Sequence, residues 1–321
     1  MEIPNSEFRI PKFSRGMMPP MTDHLPARTS DRLMILVAAL LFSTGGAAVK
    51  ACSLAAWQVA SFRSGIAAVT LILVLPATRR SWGWRTWLVG TAYAGTMISY
   101  VLSNKMTTAA NAIFLQSSAP LYILLLSPIL LKEAVRRRDV VFMIVLAVGM
   151  SLFFVGSQPD SVTAPDPMRG NLVAAATGLF WALTILGLRW LGRAGDDQGA
   201  GDNAASAVVC GNVIACLAAL PFAFPLGPTN PSDWAIVSFL GVLQIAVAYV
   251  FMVNGMRRVG AFEGSLLLLL EPILCPLWAW LVHGEQPTLW ASLGGAIIIS
   301  ATAVFTILRG GNRAVGQTPG S

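Results

Sequence analysis

Ten stretches of predominantly apolar residues follow one another between Leu33 and Leu308, and almost every charged residue lies between them. Each stretch is roughly twenty residues long, and a helix of that length, at about 1.5 Å per residue, crosses a hydrocarbon core of ~30 Å. The sequence therefore predicts an all-α integral membrane protein with ten transmembrane helices. The predicted spans are residues 33–51, 57–77, 86–104, 109–131, 139–157, 170–190, 204–225, 234–255, 261–282 and 288–308.

Composition and charge distribution support a location in the lipid bilayer. The chain is 55% hydrophobic and only 12% charged, which is too apolar for a soluble domain of 321 residues. Counted from an inside N-terminus, 18 of the 22 lysines and arginines fall in the N-terminal tail, the even-numbered connections or the C-terminus. This positive-inside bias predicts that both termini are cytoplasmic. The net charge of +7 is therefore a topology signal, and no nucleic-acid partner is predicted.

The segments outside the spans are short. Residues 1–32 contain no apolar core of a signal peptide, and their five prolines predict a disordered cytoplasmic tail, with later methionines as alternative starts. A second cytoplasmic tail is predicted over residues 309–321. The four cysteines are dispersed and only two histidines are present, so neither a disulfide framework nor a metal or cofactor site is predicted.

The chain contains an internal repeat. Residues Lys105–Pro120 align without a gap with Arg257–Pro272, 152 residues later, and the register holds as far as Glu133 and Glu285. The repeating unit holds five predicted helices, and because five is odd, the second unit enters the membrane from the opposite side. Such inverted repeats are typical of secondary transporters. The two predicted repeats cover residues 33–157 and 170–308.

Short motifs follow one another in a defined order: Phe42-Ser-Thr-Gly-Gly, Ser61-Phe-Arg63, Thr107-Thr-Ala-Ala-Asn111 through Ala119-Pro120, Leu131-Lys-Glu133, Glu271-Pro272 and Gly284-Glu285. In their order and spacing, the chain resembles the EamA-type carriers of the drug/metabolite transporter superfamily. The resemblance implies a ten-helix, two-repeat fold. It also implies export or exchange of small metabolites, often amino acids or related compounds, across a bacterial inner membrane. The second repeat departs from the first, because the small-residue run Asn203-Ala-Ala-Ser-Ala-Val stands where the first repeat has Arg63.

Glu271 is the principal candidate functional residue. It stands about nine residues, or ~14 Å, from either end of its span. A carboxylate at that depth costs at least ~2.5 kcal/mol unless it faces a cavity or a partner. We expect it to bind substrate and to couple transport to protons; the alternative is an ion pair that locks two helices. Pro272 and Pro120 should kink the helices at matching positions of the two repeats, as at transporter binding sites.

Arg63 is the one cation in the interior of a predicted span, away from its ends. Its planar guanidinium can hold a carboxylate through two bonds, so it is predicted to recognise an acid group of the substrate. Lys50, at the end of the first span, is a weaker candidate for the same role. The alternatives are a static ion pair for Arg63 and an interfacial, snorkelling side chain for Lys50.

Neutral side chains complete the predicted substrate site, although such groups also bond neighbouring helices. Trp181 is a candidate for stacking on an aromatic or apolar substrate, with simple packing as the alternative. Glu133 and Glu285 are expected in solvated loops, and Glu263 is expected to pair with Arg257. The polar candidates are Ser43, Thr44, Asn104, Asn111, Gln116, Ser117, Gln244 and Tyr249.

These features distinguish three classes of function. An intramembrane enzyme needs a nucleophile with its base or a metal cluster, and neither histidine falls in a predicted span. The chain lacks a GxxxxGK[ST] segment for ATP, and a non-transporting membrane subunit would not need a buried acid, an intramembrane arginine and matched prolines. The prediction is a secondary active exporter of small amino-acid-like or amphiphilic metabolites. Exchange of sugar phosphates or nucleotide sugars is the alternative.

The small residues of the last span, among them Ala291 and Gly295, fit packing within the fold or a homodimer.

Overall fold

The computed structural model describes residues 29–79, 82–130, 136–155, 161–193, 200–256, 258–259 and 261–315. Within these ranges the chain is helical, with one isolated β-bridge between Ser161 and Ala164. A π-helix, Leu240–Val247, joins α10 to α11. The α-helices are α1 (Thr29–Ser43), α2 (Gly45–Ala51), α3 (Ala56–Val74), α4 (Trp84–Met106), α5 (Ala109–Gln116), α6 (Ala119–Leu130), α7 (Arg137–Ser151), α8 (Pro167–Arg193), α9 (Ala200–Ala219), α10 (Pro231–Phe239), α11 (Ala248–Met256), α12 (Ala261–Leu268), α13 (Leu270–His283) and α14 (Leu289–Val315).

The chain is a multi-pass helical membrane protein. Within the described residues, eight helical stretches are long and apolar enough to cross a membrane. Neither α4 nor α7 is among them: α7 has only 15 residues, and α4 carries several polar side chains along its length. The membrane crossing of all ten predicted spans therefore stays a prediction, although a helix or a pair of helices lies at each of them.

The first and last helices extend into the two predicted tails. The first helix starts at Thr29, so the last four residues of the predicted tail 1–32 are helical. The last helix continues to Val315, seven residues into the predicted tail 309–321. Polar residues can extend a membrane helix because the headgroup regions add about 10–15 Å to the ~30 Å hydrocarbon core. Residues 1–28 and 316–321 lie outside the described part of the chain.

Two predicted spans are broken at matching positions. The fourth is interrupted at Ser117–Ser118, between α5 and α6, and the ninth at Leu269, between α12 and α13. Pro120 and Pro272 follow these breaks. Because a proline nitrogen carries no hydrogen, each leaves the carbonyl four residues earlier without its helical partner. The breaks are 152 residues apart, the same spacing as the sequence repeat.

Helices from the two halves of the chain pack against each other. Helix α4 of the first half contacts α8 and α9 of the second half, and α3 also contacts α9. Elsewhere between the halves, α1 contacts α11 and α13, and α7 contacts α14. The largest cluster of buried apolar side chains therefore draws on both halves, and the central space between them is bounded by helices of each.

Contacts near the connections group the helix ends into two sets. Connections are numbered in chain order, the first joining the first and second spans, and the two ends of the molecule are named after the even- and odd-numbered ones. At the even end, Arg32 bonds Glu263 at 2.6 Å and Arg258 lies 3.9 Å from Asp31. At the odd end, the backbone N–H and hydroxyl of Ser53 each donate to Asp233 at 2.6 Å. The partner of Glu263 is therefore Arg32, whereas its predicted partner, Arg257, lies outside the described residues.

Two exposed glycines provide a matched test of the predicted topology. Added side chains at Gly83, in an even connection, and Gly227, in an odd one, would meet no atom within 4 Å. In a cysteine-free background, a membrane-impermeant maleimide should label Gly227→Cys on intact cells and Gly83→Cys only after permeabilisation, because the positive-inside pattern places Gly83 in the cytoplasm. The native Cys52 is unsuitable as a reporter, since it is 1% exposed. Labelling of Gly83→Cys on intact cells would contradict the orientation.

Candidate functional site

A cavity of about 200 Å³ lies between the two halves of the molecule. It is bounded by α1, α3, α4, α5, α8, α9, the π-helix and α11 to α13. Six of the twelve residues considered for substrate binding line it. The lining residues are Phe42, Arg63, Tyr93, Thr96, Met97, Tyr100, Gln116, Trp181, Leu188, Val208, Gln244, Ile245, Tyr249, Met252, Leu268 and Glu271.

Arg63 is buried at this cavity without an acidic partner. Its side chain, on α3, is 1% exposed, and its guanidinium donates to the Met97 carbonyl oxygen at 3.1 Å. The guanidinium carbon lies 5.3 Å from the centre of the Tyr100 ring, a cation–π distance. Within the described ranges, no carboxylate lies within 4 Å of it, and its Nε has no hydrogen-bond partner. Because an unpaired buried charge is costly, a guanidinium in this position can receive an anion from the cavity.

Glu271 presents a second, opposite charge to the same cavity. It lies in the first turn of α13, directly after the break at Leu269. Among the residues that the structure describes, its carboxylate forms no hydrogen bond or ion pair. The static ion pairs considered for Arg63 and Glu271 are thus not formed in this part of the chain. The Arg63 guanidinium and the Glu271 carboxylate thus face one cavity without forming an ion pair with each other.

Two amide side chains add unused hydrogen-bonding capacity. The Oε1 atoms of Gln116 and Gln244 are buried and lack a partner in the described structure. Gln116 ends α5 at the helix break, and Gln244 lies in the π-helix, a form often found at functional sites. Gly45 permits the close packing of this region, because a methyl group there would lie 2.8 Å from the Gln244 amide nitrogen and 2.9 Å from the Tyr100 hydroxyl.

Aromatic side chains form much of the remaining wall, and the sequence analysis missed three of them: Phe42 on α1, and Tyr93 and Tyr100 on α4. Trp181 and Tyr249, in contrast, were predicted to line the site. The signal for the two residues of α4 was present in the sequence, because Tyr93, Thr96, Met97 and Tyr100 follow the i, i+3, i+4, i+7 spacing of one helix face. The cavity thus combines two opposite charges with a rim of flat rings.

Comparison with known proteins places this architecture in a family. The model of the EamA-like transporter family matches the chain twice, over residues 31–155 and 168–307. The chain belongs to the EamA-like transporter family. These two matches cover most of the sequence and correspond closely to the two predicted repeats.

Individual relatives of this EamA-like protein are distant. It is 25% identical to the aromatic amino acid exporter YddG of Ancylobacter novellus, over 70% of this chain and 77% of that one. It is 26% identical to an uncharacterized transporter of Archaeoglobus fulgidus, over 65% of this chain and 71% of that one. A solved crystal structure with 22% identity aligns at a TM-score of 0.58, over 88% of this chain and 98% of that one, and supports the fold.

Five neutral residues predicted for the substrate site of the EamA-like protein lie outside the cavity lining. The hydroxyls of Ser43 and Thr44 donate to the Leu40 and Leu41 carbonyls, each at 2.7 Å, at the junction of α1 and α2. Asn104 donates to the Tyr100 carbonyl one turn earlier, at 2.8 Å. Asn111 donates to Asn171 at 3.0 Å and ties α5 to α8. Ser117 also bonds a backbone carbonyl, that of Ile113. Their polar groups serve the helix framework, which explains their absence from the cavity.

Lys50 and Glu285 contradict their predicted surroundings. Instead of snorkelling to the interface or binding substrate, Lys50 forms an ion pair with Glu285 at 2.8 Å, with both side chains at most 5% exposed. The ammonium also donates to the Thr107 carbonyl at 2.8 Å and to the Thr163 carbonyl. Glu285 in turn accepts from the Ala109 N–H at 3.0 Å, so it does not lie in a solvated loop. This network ties α2 to the start of α5 and to the connection between α13 and α14 at the odd end of the EamA-like protein.

The last helix packs partly within the fold. A methyl group on Gly295 would lie 2.5 Å from the Phe114 ring, and Ala291 is fully buried. This side of the small-residue face therefore contacts α5, whereas Ser292, Ala296 and Ser300 are exposed. A homodimer through the exposed residues stays a prediction.

Within the described residues, no group of three or more His, Cys, Asp or Glu side chains is placed to hold a metal ion.

Proposed function

We propose that this EamA-like protein is a secondary active exporter of zwitterionic, amino-acid-like metabolites, with aromatic amino acids as its preferred substrates. The observation that carries the proposal is the buried Arg63 guanidinium, which has no acidic partner in the described structure and faces the same cavity as Glu271. A free amino acid carries one carboxylate and one ammonium group, and these match the two charges.

Recognition follows from the chemistry of the cavity wall. The substrate carboxylate binds Arg63 in two-point geometry, and the ammonium group binds Glu271. The unpartnered oxygens of Gln116 and Gln244 accept further hydrogen bonds from the ammonium group. The rings of Tyr93, Tyr100, Trp181 and Tyr249 give an aromatic side chain edge-to-face or stacked contacts. The printed name of the Ancylobacter relative, an aromatic amino acid exporter, supports this substrate class.

Sugar phosphates and nucleotide sugars fit the cavity poorly. Such substrates carry two or more negative charges, and Arg63 is the only cation among the described lining residues. Lys50, the other cation considered, is already neutralised by Glu285. In addition, about 200 Å³ corresponds to roughly seven water molecules at ~30 Å³ each, which suits a metabolite of amino-acid size.

Alternating access of two inverted five-helix repeats is the proposed mechanism. The double family match and the helix breaks 152 residues apart support two equivalent halves. The packing supports the same symmetry: α4 against α8 corresponds to α11 against α1, and α3 against α9 and α7 against α14 pair equivalent helices. Because each repeat has five spans, equivalent helices would run in opposite directions, as in carriers whose halves rock about a central site.

Energy coupling and orientation complete the proposal. Glu271 is the described carboxylate of the cavity, so it serves as the proton-coupling group as well as a substrate ligand. The distribution of positive charge supports an orientation with both termini in the cytoplasm, and bacterial relatives of the chain support the inner membrane as its location.

The proposal is tested by an export profile. Cells with and without the protein are loaded with the common amino acids as dipeptides, and the amino acids appearing outside are quantified over time. Phenylalanine, tyrosine and tryptophan should leave several-fold faster in cells that carry the protein, because their rings contact the aromatic wall. Aliphatic amino acids should change less, and phosphorylated sugars not at all. Unchanged efflux of all amino acids would contradict the proposed substrate class.

A further inference from the structure

A groove outside the transport cavity lies between α7 and α14. Its volume is about 590 Å³, nearly three times that of the central cavity, and its walls are apolar along almost their whole length. On α7 it extends from Arg138 to Val145, and on α14 from Ile297 to Leu308. At about 1.5 Å per residue, these distances are ~10 Å and ~16 Å, close to the thickness of one leaflet of a ~30 Å hydrocarbon core.

The groove exists because the two helices meet closely at one point and leave space elsewhere. A methyl group on Gly294 would lie 2.6 Å from the Gly149 carbonyl oxygen, so α7 and α14 are in backbone contact there. Nearer the even end, the helices are bridged instead by the stacked rings of Phe142 and Phe305, whose centres are 4.0 Å apart. Side chains line this space without filling it.

Positive charge marks the even end of the groove. Arg138 lines it, and Arg136 and Arg137 are exposed beside it. Within the described residues, Arg138 has no carboxylate within 4 Å. A guanidinium binds phosphate in two-point geometry, and arginine clusters next to membrane helices attract anionic lipids. The groove thus offers an anion-binding group at headgroup level and an apolar channel of acyl-chain depth below it.

We propose that the groove between α7 and α14 binds an anionic phospholipid, with its phosphate on Arg138 and one acyl chain in the apolar channel. The charge of the arginine cluster and the depth of the channel favour a lipid over a second protein chain. A second copy would bring the same three arginines to the contact, and like charges oppose association.

Native mass spectrometry of the full-length protein tests this site. The protein is released from vesicles of equimolar phosphatidylglycerol and phosphatidylcholine, and the lipids that stay bound are counted. The unmodified protein should retain one phosphatidylglycerol in preference to phosphatidylcholine. Arg138→Gln should lower that preference about five- to tenfold, because one phosphate contact is lost. Ser300→Phe, which fills the groove from α14, should reduce the retention of both lipids.

Arg137→Gln is the matched control, since it removes a neighbouring charge that does not line the groove. It should leave the preference for phosphatidylglycerol close to that of the unmodified protein. Equal effects of the two arginine variants, or no effect of Arg138→Gln, would overturn the proposal. It would also be overturned if Ser300→Phe converted dimers to monomers without changing lipid retention, because the groove would then hold a second copy.

Discussion

Replacing Arg63 with lysine should slow export of amino acids by about 10- to 100-fold while leaving the folded protein in the membrane. The substitution keeps the positive charge but loses the planar fork, and hydrogen bonds between charged groups are worth about 1.5–3 kcal/mol. The measurement is efflux of radiolabelled phenylalanine from vesicles of matched protein content. Arg63 has no acidic partner in the described structure, so the variant breaks no ion pair there.

Two controls separate recognition from folding in this experiment. Phenylalanine amide lacks the carboxylate, so its binding to the lysine variant should change much less than that of phenylalanine. Arg85→Lys, a substitution on α4 outside the cavity lining, should leave efflux close to its original rate. An equal fall in binding of the acid and the amide, or a matching fall in folded protein, would assign Arg63 to the framework.

Replacing Glu271 with glutamine should abolish accumulation of substrate driven by a pH gradient. Glutamine keeps the shape and most of the hydrogen bonding of the side chain but removes its ionisation. A carrier without a titrating group cannot link substrate movement to a proton flux, so the concentration ratio across the vesicle membrane should fall to its equilibrium value. Downhill exchange of labelled for unlabelled substrate should persist at a reduced rate, because the glutamine oxygen still accepts a hydrogen bond from the substrate ammonium group although the attraction between opposite charges is lost.

Glu263 supplies the matched control for that experiment. It is a carboxylate of the same span, but it forms a partly exposed ion pair with Arg32 at the even end. Glu263→Gln should preserve the response to the pH gradient, since it leaves the cavity charge unchanged. If the Glu271 variant still concentrates substrate, proton coupling must depend on another group.

The membrane fold was readable from the sequence because burial in lipid imposes a simple constraint. Backbone groups in lipid must form their hydrogen bonds within a helix, and the side chains that face lipid must be apolar, so spans show as long apolar runs. Pro120 and Pro272 mark where the helices within two of these runs break. Arg63 and Glu271 stood out for the same reason, since a charge within an apolar run needs a cavity or a partner.

The long-range pairing of side chains was not readable in this way. Lys50 and Glu285 stand at the ends of apolar runs, where charges are common, and nothing in the sequence says that the fold buries them together. The polar character of Ser43, Thr44, Asn104 and Asn111 was equally ambiguous, because helical hydroxyls and amides bond their own backbone as readily as a ligand. The spacing of Tyr93, Met97 and Tyr100 marks one face of α4, and the packing shows that this face meets the cavity.

The buried pair of Lys50 and Glu285 has a consequence for the energy of the transport cycle. Charges withdrawn from water lose hydration that nearly offsets their mutual attraction, so a buried ion pair adds little net stability. A plug of leucine and phenylalanine would lose its whole hydrophobic contribution whenever the odd end admitted water. Here the incoming water would hydrate both ions as they separate, and this gain in hydration would largely offset the lost attraction between Lys50 and Glu285. In the proposed alternating access, this pair would therefore let the odd end admit water at low thermodynamic cost.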